Sequence, residues 1–231
     1  LCPTNLAITS NLCFPSISFI NILLTNSFVI YGLCTPIARE TVLASGTESN
    51  ILDKDDVDVF IHTWNDNDDE IEAIKSAYNP ISSIFEKQIK FGNEVTKIHS
   101  IKSRWYSHMK SVELKRQHEI INNIIYDFVL VSRFDNCFLT PFRFCEYDKN
   151  CIYSSNWHHP HNINGFLDYW FLSDSSTMDK FSNLYDMTES YLEDIGIQSN
   201  HFLSTHHANE LDLTQKYIKH EYTDFRLDRC G

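Results

Sequence analysis

The stretch of sequence that decides the fold is residues 126–135, which read YDFVLVSRFD. Residues 126–132 are almost continuously apolar and rich in aromatic and β-branched side chains, which predicts a strand buried on both faces. The strand is followed by Arg133 and Asp135, so this charged pair is expected at the carboxyl edge of a sheet. In open α/β sheets that edge is where ligands bind.

Short apolar runs alternate with longer amphipathic segments on both sides of this strand. The alternation predicts an α/β fold in a single domain over residues 28–231, with a mainly parallel, Rossmann-like sheet flanked by helices. Further strands are predicted at 28–33, 57–63, 81–89, 151–154 and 167–172. Helices are predicted at 66–77, 102–125, 175–185 and 200–209.

Residues 1–27 form a leader without charged side chains, and the first charge in the chain is Arg39. Residues 12–34 are long enough to cross a bilayer, although Asn21 and Asn26 interrupt them and no Lys or Arg precedes them to set an orientation. Three interpretations stay open: a membrane anchor, a leader of undefined structure before a buried strand, and a truncated or misassigned start.

The composition indicates in which compartment the protein is located and which class of partner it does not bind. Seven cysteines form no CxxC pair and no zinc-type spacing, which is typical of free thiols in a reducing compartment. A cytoplasmic location is therefore expected, with residues 12–34 as the candidate for membrane association. The 19 basic and 31 acidic residues give a formal charge of −12, which argues against nucleic acid as a partner.

One segment of the chain is nevertheless locally basic, and an anionic ligand would need such a cluster. These side chains could neutralise the phosphates of a ligand, or they could form the solvated face of an amphipathic helix. The five residues lie within positions 102–116 and are Lys102, Arg104, Lys110, Lys115 and Arg116.

Two carboxylates are candidates for chemistry. Asp135 could bind a divalent cation that bridges a diphosphate, or it could form an ion pair with Arg133 that caps the strand. Asp168 lies among aromatic residues in the segment 165–171, GFLDYWF. Burial there is expected to raise the pKa of Asp168 to a range suited to a general base. The alternative for Asp168 is a hydrogen-bonded cap at the start of a strand.

The histidines give weaker signals. The segment 157–161, WHHPH, resembles a metal-binding cluster but has no matching carboxylate or cysteine spacing, and its proline favours a loop. His201, His206 and His207 are spaced too poorly to share one helical face. No histidine is therefore assigned to the site.

Several sequence blocks together resemble a known family. Residues 58–64 read DVFIHTW, and the pattern YSxxK follows at 106–110 in a predicted helix. The YDFVLVSRFD block comes next, and Met178 with Asp179 follows the strand that carries Asp168. Over about residues 28–210, the chain resembles a group of predicted glycosyltransferases found in surface-polysaccharide gene clusters and in large viruses.

The resemblance implies a GT-A-like fold that binds a nucleotide sugar. Asp135 would be the carboxylate next to the metal and the diphosphate, although Arg133 replaces the first Asp of the DxD motif of related enzymes. Gly32 and Arg39 would lie near the nucleotide, and Asp168 would be the base on the acceptor side.

With this resemblance, Lys102 and Lys110 become candidates for binding the phosphates, and Arg133 could itself partly neutralise the diphosphate. The expected function is transfer of a sugar from a nucleoside-diphosphate sugar to a glycan or lipid-linked acceptor, assisted by Mn²⁺ or Mg²⁺. Two other classes stay open: a non-catalytic nucleotide- or glycan-binding protein of the same fold, and a membrane-tethered structural protein.

Overall fold

The computed structural model describes residues 27–32, 57–92, 97–156, 166–196 and 199–227. Strands and helices alternate along these residues, as the sequence predicts. The strands are β1 (Ser27–Gly32), β2 (Val57–Trp64), β3 (Ser82–Glu86), β4 (Phe128–Arg133), β5 (Asn136–Phe138), β6 (Cys151–Asn156), β7 (Leu167–Ser173), β8 (Thr214–His220) and β9 (Phe225–Leu227). The helices are α1 (Asp68–Tyr78), α2 (Lys97–Asn122), α3 (Ser175–Phe181), α4 (Leu184–Ile195) and α5 (Asn200–Glu210).

Seven strands form one sheet in the order β3-β2-β1-β4-β7-β6-β8, and β5 pairs with β9 in a small second sheet. In the large sheet β2–β3 and β6–β8 are parallel, whereas β1–β2, β1–β4, β4–β7 and β6–β7 are antiparallel. The α/β class is confirmed, but the mainly parallel sheet is not, because the described sheet is mixed. Alternation shows that helices cover the sheet, yet it does not show which strands become neighbours.

The described elements agree with most of the predicted ones. The helix expected over residues 175–185 is α3, which ends at Phe181, and most of α4 and the strands β5, β8 and β9 were not predicted. Residues 27–32 of the apolar segment 12–34 form strand β1 between β2 and β4, while residues 1–26 lie outside the described residues. In the described part of the chain, no helix is both long and apolar enough to cross a membrane.

Strand β4 is buried on both faces, as its unbroken hydrophobicity predicts. Val129 and Val131 belong to the core on the side of α2, together with Trp105. Phe128 and Leu130 belong to the core on the opposite side of the sheet. The packed strand therefore holds its carboxyl end, and the charged residues that follow it, in a fixed position.

Two buried histidines, His108 of α2 and His207 of α5, make the free energy of unfolding depend on pH. Burial is the main cause that lowers the pKa of His207 to about 4, and burial together with nearby Arg104 places the pKa of His108 well below its usual value. In the unfolded chain both residues bind a proton near pH 6.5. The unfolded state then binds more protons, so the free energy of unfolding falls as the pH drops below about 6.5.

We expect His207→Gln to reduce this pH dependence. Between pH 6.5 and pH 5 the free energy of unfolding of the wild type should fall by up to about 1.4 kcal/mol per pH unit for each of the two histidines. In the variant it should fall by the contribution of His108 alone. Urea unfolding at several pH values measures the slope. His220→Gln, a substitution of an exposed histidine, is the matched control. Equal slopes for wild type and His207→Gln would contradict the prediction.

Candidate functional site

The candidate site lies where the carboxyl end of β4 meets the amino end of β7. Ser132 pairs with Trp170 in the antiparallel register of these strands, so Arg133 comes next to the residues that begin β7. The first turn of α5 adds His201, and α2 adds Arg104 from the face of the sheet that it covers. Four separate elements therefore position the charged side chains of the site.

Arg133 and Asp135 form a bidentate ion pair. Arg133 Nε lies 2.9 Å from Asp135 Oδ1, and Arg133 Nη2 lies 2.5 Å from Oδ2. The guanidinium also lies over the ring of Tyr169, 5.4 Å from its centre. Burial alone would lower the pKa of Arg133, but Asp135 and Asp168 outweigh it and raise the pKa. Arg133 is therefore a fixed cation.

The surroundings of Asp135 do not fit a resident metal ion. Both of its carboxylate oxygens are engaged by Arg133. Among the described residues, no group of three His, Cys, Asp or Glu side chains is arranged to hold a metal. Asp135 was expected either to bind a divalent cation or to form an ion pair with Arg133, and the structure shows the ion pair. The histidine-rich segment 157–161 lies outside the described residues.

Asp168 is almost fully buried and is surrounded by cations. Its Oδ1 lies 2.9 Å from His201 Nδ1, and its Oδ2 lies 3.9 Å from Arg104 Nε. Burial alone would raise its pKa, but the hydrogen bond and charge of His201, with Arg104 and Arg133, bring the pKa below its usual value. The expectation of a raised pKa is therefore wrong, because the surrounding positive charge outweighs the loss of hydration. Asp168 is an anion at neutral pH and a weak base.

His201 holds Asp168 in this state. Burial lowers the pKa of His201, but the hydrogen bond and charge of Asp168 and the backbone of Phe166 have the larger combined effect and raise it. Sequence reasoning missed His201, since the spacing of the histidines says nothing about contacts with another element. The one available signal was that His201 lies in the first turn of a predicted helix, from which a side chain can reach the edge of the sheet.

A cavity of about 240 Å³ opens beside Asp168 and His201. It lies at the first turns of α2 and α5, neither of which carries an acidic residue. Helix N-termini present backbone N–H groups and partial positive charge, which favour an anion. Its other lining residues are Lys97, Ser100, Ile101, Ser199 and Asn200.

The remaining predicted residues lie elsewhere. Gly32 pairs with Phe128 at the opposite end of β4 from Arg133, about 17 Å along the strand. Lys102 forms an ion pair with Glu189 of α4. Arg39 lies outside the described residues.

Lys110, the last of the predicted phosphate-binding residues, lies with its ammonium group 5.2 Å from the ring centre of Tyr106. The basic segment therefore does not form one cationic patch. Only Arg104 of its five basic residues reaches Asp168. The structure thus brings together Arg133, Asp135 and Asp168 and leaves Gly32, Lys102 and Lys110 apart from them.

The DVFIHTW block of β2 and the YSxxK block of α2 contact each other on the face of the sheet that α2 covers. His62 Nδ1 lies 2.8 Å from Ser107 Oγ, and His62 Nε2 lies 2.9 Å from Glu86 Oε1. Trp64 stacks on Tyr106 with ring centres 5.0 Å apart. His62 is completely buried, and its contacts join β2, β3 and α2.

Comparison with known proteins adds no relative: no family model, no curated protein and no solved structure matches the chain. The functional argument therefore depends on the chemistry of the site and on the sequence blocks.

Proposed function

We propose that this chain is a glycosyltransferase of the GT-A-like, nucleotide-sugar-binding type. It would transfer a sugar from a nucleoside-diphosphate sugar to a glycan or lipid-linked acceptor. The observation that carries the proposal is the single charged cluster of Arg133, Asp135 and Asp168 beside a cavity. Arg133 and Asp135 belong to one sequence block and Asp168 to another about 33 residues later, and the resemblance selects all three.

The cations of the cluster suit a diphosphate leaving group. When the bond to the sugar breaks, negative charge develops on the diphosphate, and fixed positive groups lower the barrier most when they need no rearrangement. Asp135 holds the Arg133 guanidinium in place through Nε and Nη2, so the charge of Arg133 could attract the phosphates without rearrangement. Lys97 and the two helix N-termini add positive potential at the cavity.

Asp168 suits the sugar and the acceptor. A carboxylate of lowered pKa is a poor proton acceptor, so early removal of the acceptor proton is not its best role. Its fixed negative charge can offset the positive charge that develops on the sugar carbon, and it can orient the acceptor hydroxyl. His201 keeps it ionised and aligned. The donor groups of the described residues do not fit Mn²⁺ or Mg²⁺.

A second candidate is a non-catalytic nucleotide- or glycan-binding protein of the same fold. The observation in its favour is the bidentate pairing of Asp135 with Arg133 at the place where related enzymes carry a metal-binding motif. Such a protein would bind a nucleotide sugar without transferring the sugar.

We expect at least one UDP-, GDP- or CMP-sugar to raise the melting temperature. A ligand at 100 times its dissociation constant adds about 2.7 kcal/mol, which is roughly 5–10 °C for a domain of this size. Differential scanning fluorimetry with a panel of nucleotide sugars measures the shift. Arg133→Ala should abolish it relative to the variant's own baseline, whereas Arg143→Ala, at an exposed arginine, should not.

The outcomes separate the two candidates. If no nucleotide sugar stabilises the protein, the enzyme and the nucleotide-binding form of the second candidate are contradicted. Stabilisation with detectable transfer to an acceptor supports the enzyme. Stabilisation without transfer to any member of a glycan and lipid-linked acceptor panel favours the binding protein.

A further inference from the structure

Helix α2 ends in an uncharged apolar surface far from the candidate site. Its last residues and the turn that follows read IINNII over residues 120–125. Ile120, Ile121 and Ile125 are 73%, 80% and 79% exposed, and Ile124 is 37% exposed. These four side chains, the isoleucine patch, leave an apolar area on the order of 500 Å² in contact with water, which is the size of the largest patch on a typical monomer, and such patches are often functional.

A groove of about 720 Å³ lies beside the isoleucine patch. The charged groups of its wall are neutralised within the protein: Arg116 Nε lies 3.5 Å from Asp179 Oδ2, and Glu119 Oε2 lies 2.9 Å from Lys115 Nζ. A charged partner would therefore gain little there. The groove is lined by Arg116, Glu119, Ile120, Asn123, Ile124, Ile125 and Asp179.

We propose that the isoleucine patch is the interface of a two-fold dimer formed with a second copy of this chain. In a two-fold contact the same surface faces itself, so that surface must be complementary to itself. Here the protruding Ile121 and the groove edged by Ile120 and Ile124 belong to the same helix end. Each copy thus supplies both a projecting side chain and a recess.

Area and charge favour a second copy over other occupants. Two patches bury on the order of 1,000 Å² in total, which is the lower limit for a specific interface before its polar rim is counted. Two chains of formal charge −12 repel each other, and residues 120–125 offer a contact region without charge. A lipid surface fits less well, because helices that bind membranes carry Lys or Arg beside the apolar face. The nearest arginine, Arg116, is paired with Glu113 and Asp179.

The proposed dimer leaves the candidate site open. Helix α2 has 26 residues and is therefore about 39 Å long. The cavity lies at its first turn and the isoleucine patch at its last. Dimerisation through α2 is thus independent of the proposed activity, and either conclusion can fail without the other.

The test is the molar mass of the full chain in solution over a range of concentrations, by sedimentation and light scattering. We expect a dimer for the wild type and a dissociation constant at least roughly 30-fold higher for Ile121→Asp with Ile125→Asp. Ile81→Asp is the matched control, because Ile81 is 52% exposed and outside the patch. Circular dichroism and the melting temperature confirm that each variant is folded.

Hydrogen exchange at low and high protein concentration locates the contact. Slower exchange at residues 117–125 at high concentration supports the proposal. A wild-type monomer throughout the range overturns it, and so does a dimer that persists in the double variant. Binding of a monomer to zwitterionic or anionic vesicles would also overturn it, since the patch would then contact lipid.

Discussion

Replacing Asp168 by asparagine is expected to lower kcat for sugar transfer by a factor on the order of 10²–10³. The substitution keeps the shape of the side chain and removes the negative charge that faces the developing positive charge on the sugar. Arg104 and Arg133 keep their charge, so binding of the anionic donor should be unchanged or tighter. The effect should therefore fall on kcat, and KM for the donor should not rise.

Initial rates with the donor identified by thermal stabilisation measure both constants. Asp194→Asn, which changes an exposed carboxylate of α4, is the matched control and should leave both constants unchanged. In Asp168→Asn the pKa of His201 should also fall, because the partner that raises it is lost; its NMR titration shows whether the pair formed in solution. Transfer by Asp168→Asn at the rate of the control would refute the role assigned to Asp168.

The same residues show how far the sequence alone could go. Strand β4 was predictable because a short, unbroken run of β-branched and aromatic residues is typical of a strand buried on both faces. The charged residues after it then had to lie at the edge of the sheet. That Asp168 lies near Arg133 was not predictable, since it depends on β7 pairing with β4. Such pairing is decided by contacts between distant residues, which one sequence does not reveal.

The direction of β1 explains why Gly32 lies away from the site. The resemblance implies that Gly32 lies near the nucleotide, and in a mainly parallel sheet the carboxyl end of the first strand would share an edge with that of β4. Strand β1 instead runs antiparallel to β4 and places Gly32 opposite Phe128. The direction of β1 therefore explains why Gly32 lies at the other end of β4 from Arg133.

The basic segment of α2 illustrates a different limit. Residues close in sequence point in different directions around a helix, about 100° apart for each step. Lys102 contacts α4, Arg104 reaches the candidate site, and Lys115 enters a buried network with α3. The local excess of positive charge was real, but the acidic partners that neutralise it lie elsewhere in the chain.

That buried network leads to the largest expected effect on stability. The Lys115 side chain is completely buried, with Nζ 2.9 Å from Glu119 Oε2, 2.6 Å from Asp179 Oδ1 and 2.5 Å from Ser175 Oγ. Lys115→Ala removes the cation paired with Glu119, whose side chain is only 10% exposed, and one of the two cations paired with Asp179. We expect it to lower the free energy of unfolding by about 3–5 kcal/mol, measured by urea unfolding.

The neighbouring residue provides the matched control. Arg116 belongs to the same helix and also pairs with Asp179, but its side chain is 37% exposed. Arg116→Ala should therefore cost only about 0–1 kcal/mol. If the two substitutions cost the same, the buried network does not stabilise the fold.

The network also connects stability to the candidate site. Glu119 accepts hydrogen bonds from Ser175 Oγ at 2.7 Å and from the backbone N–H of Tyr126 at 2.9 Å, so it joins α2 to α3 and to the segment that leads into β4. Arg104 lies about three turns before Lys115 on the same helix. A change at Lys115 that loosens α2 should therefore also weaken the stabilisation by nucleotide sugar, whereas Arg116→Ala should preserve it. Comparison of the two variants in the same ligand titration tests whether the position of α2 controls the site.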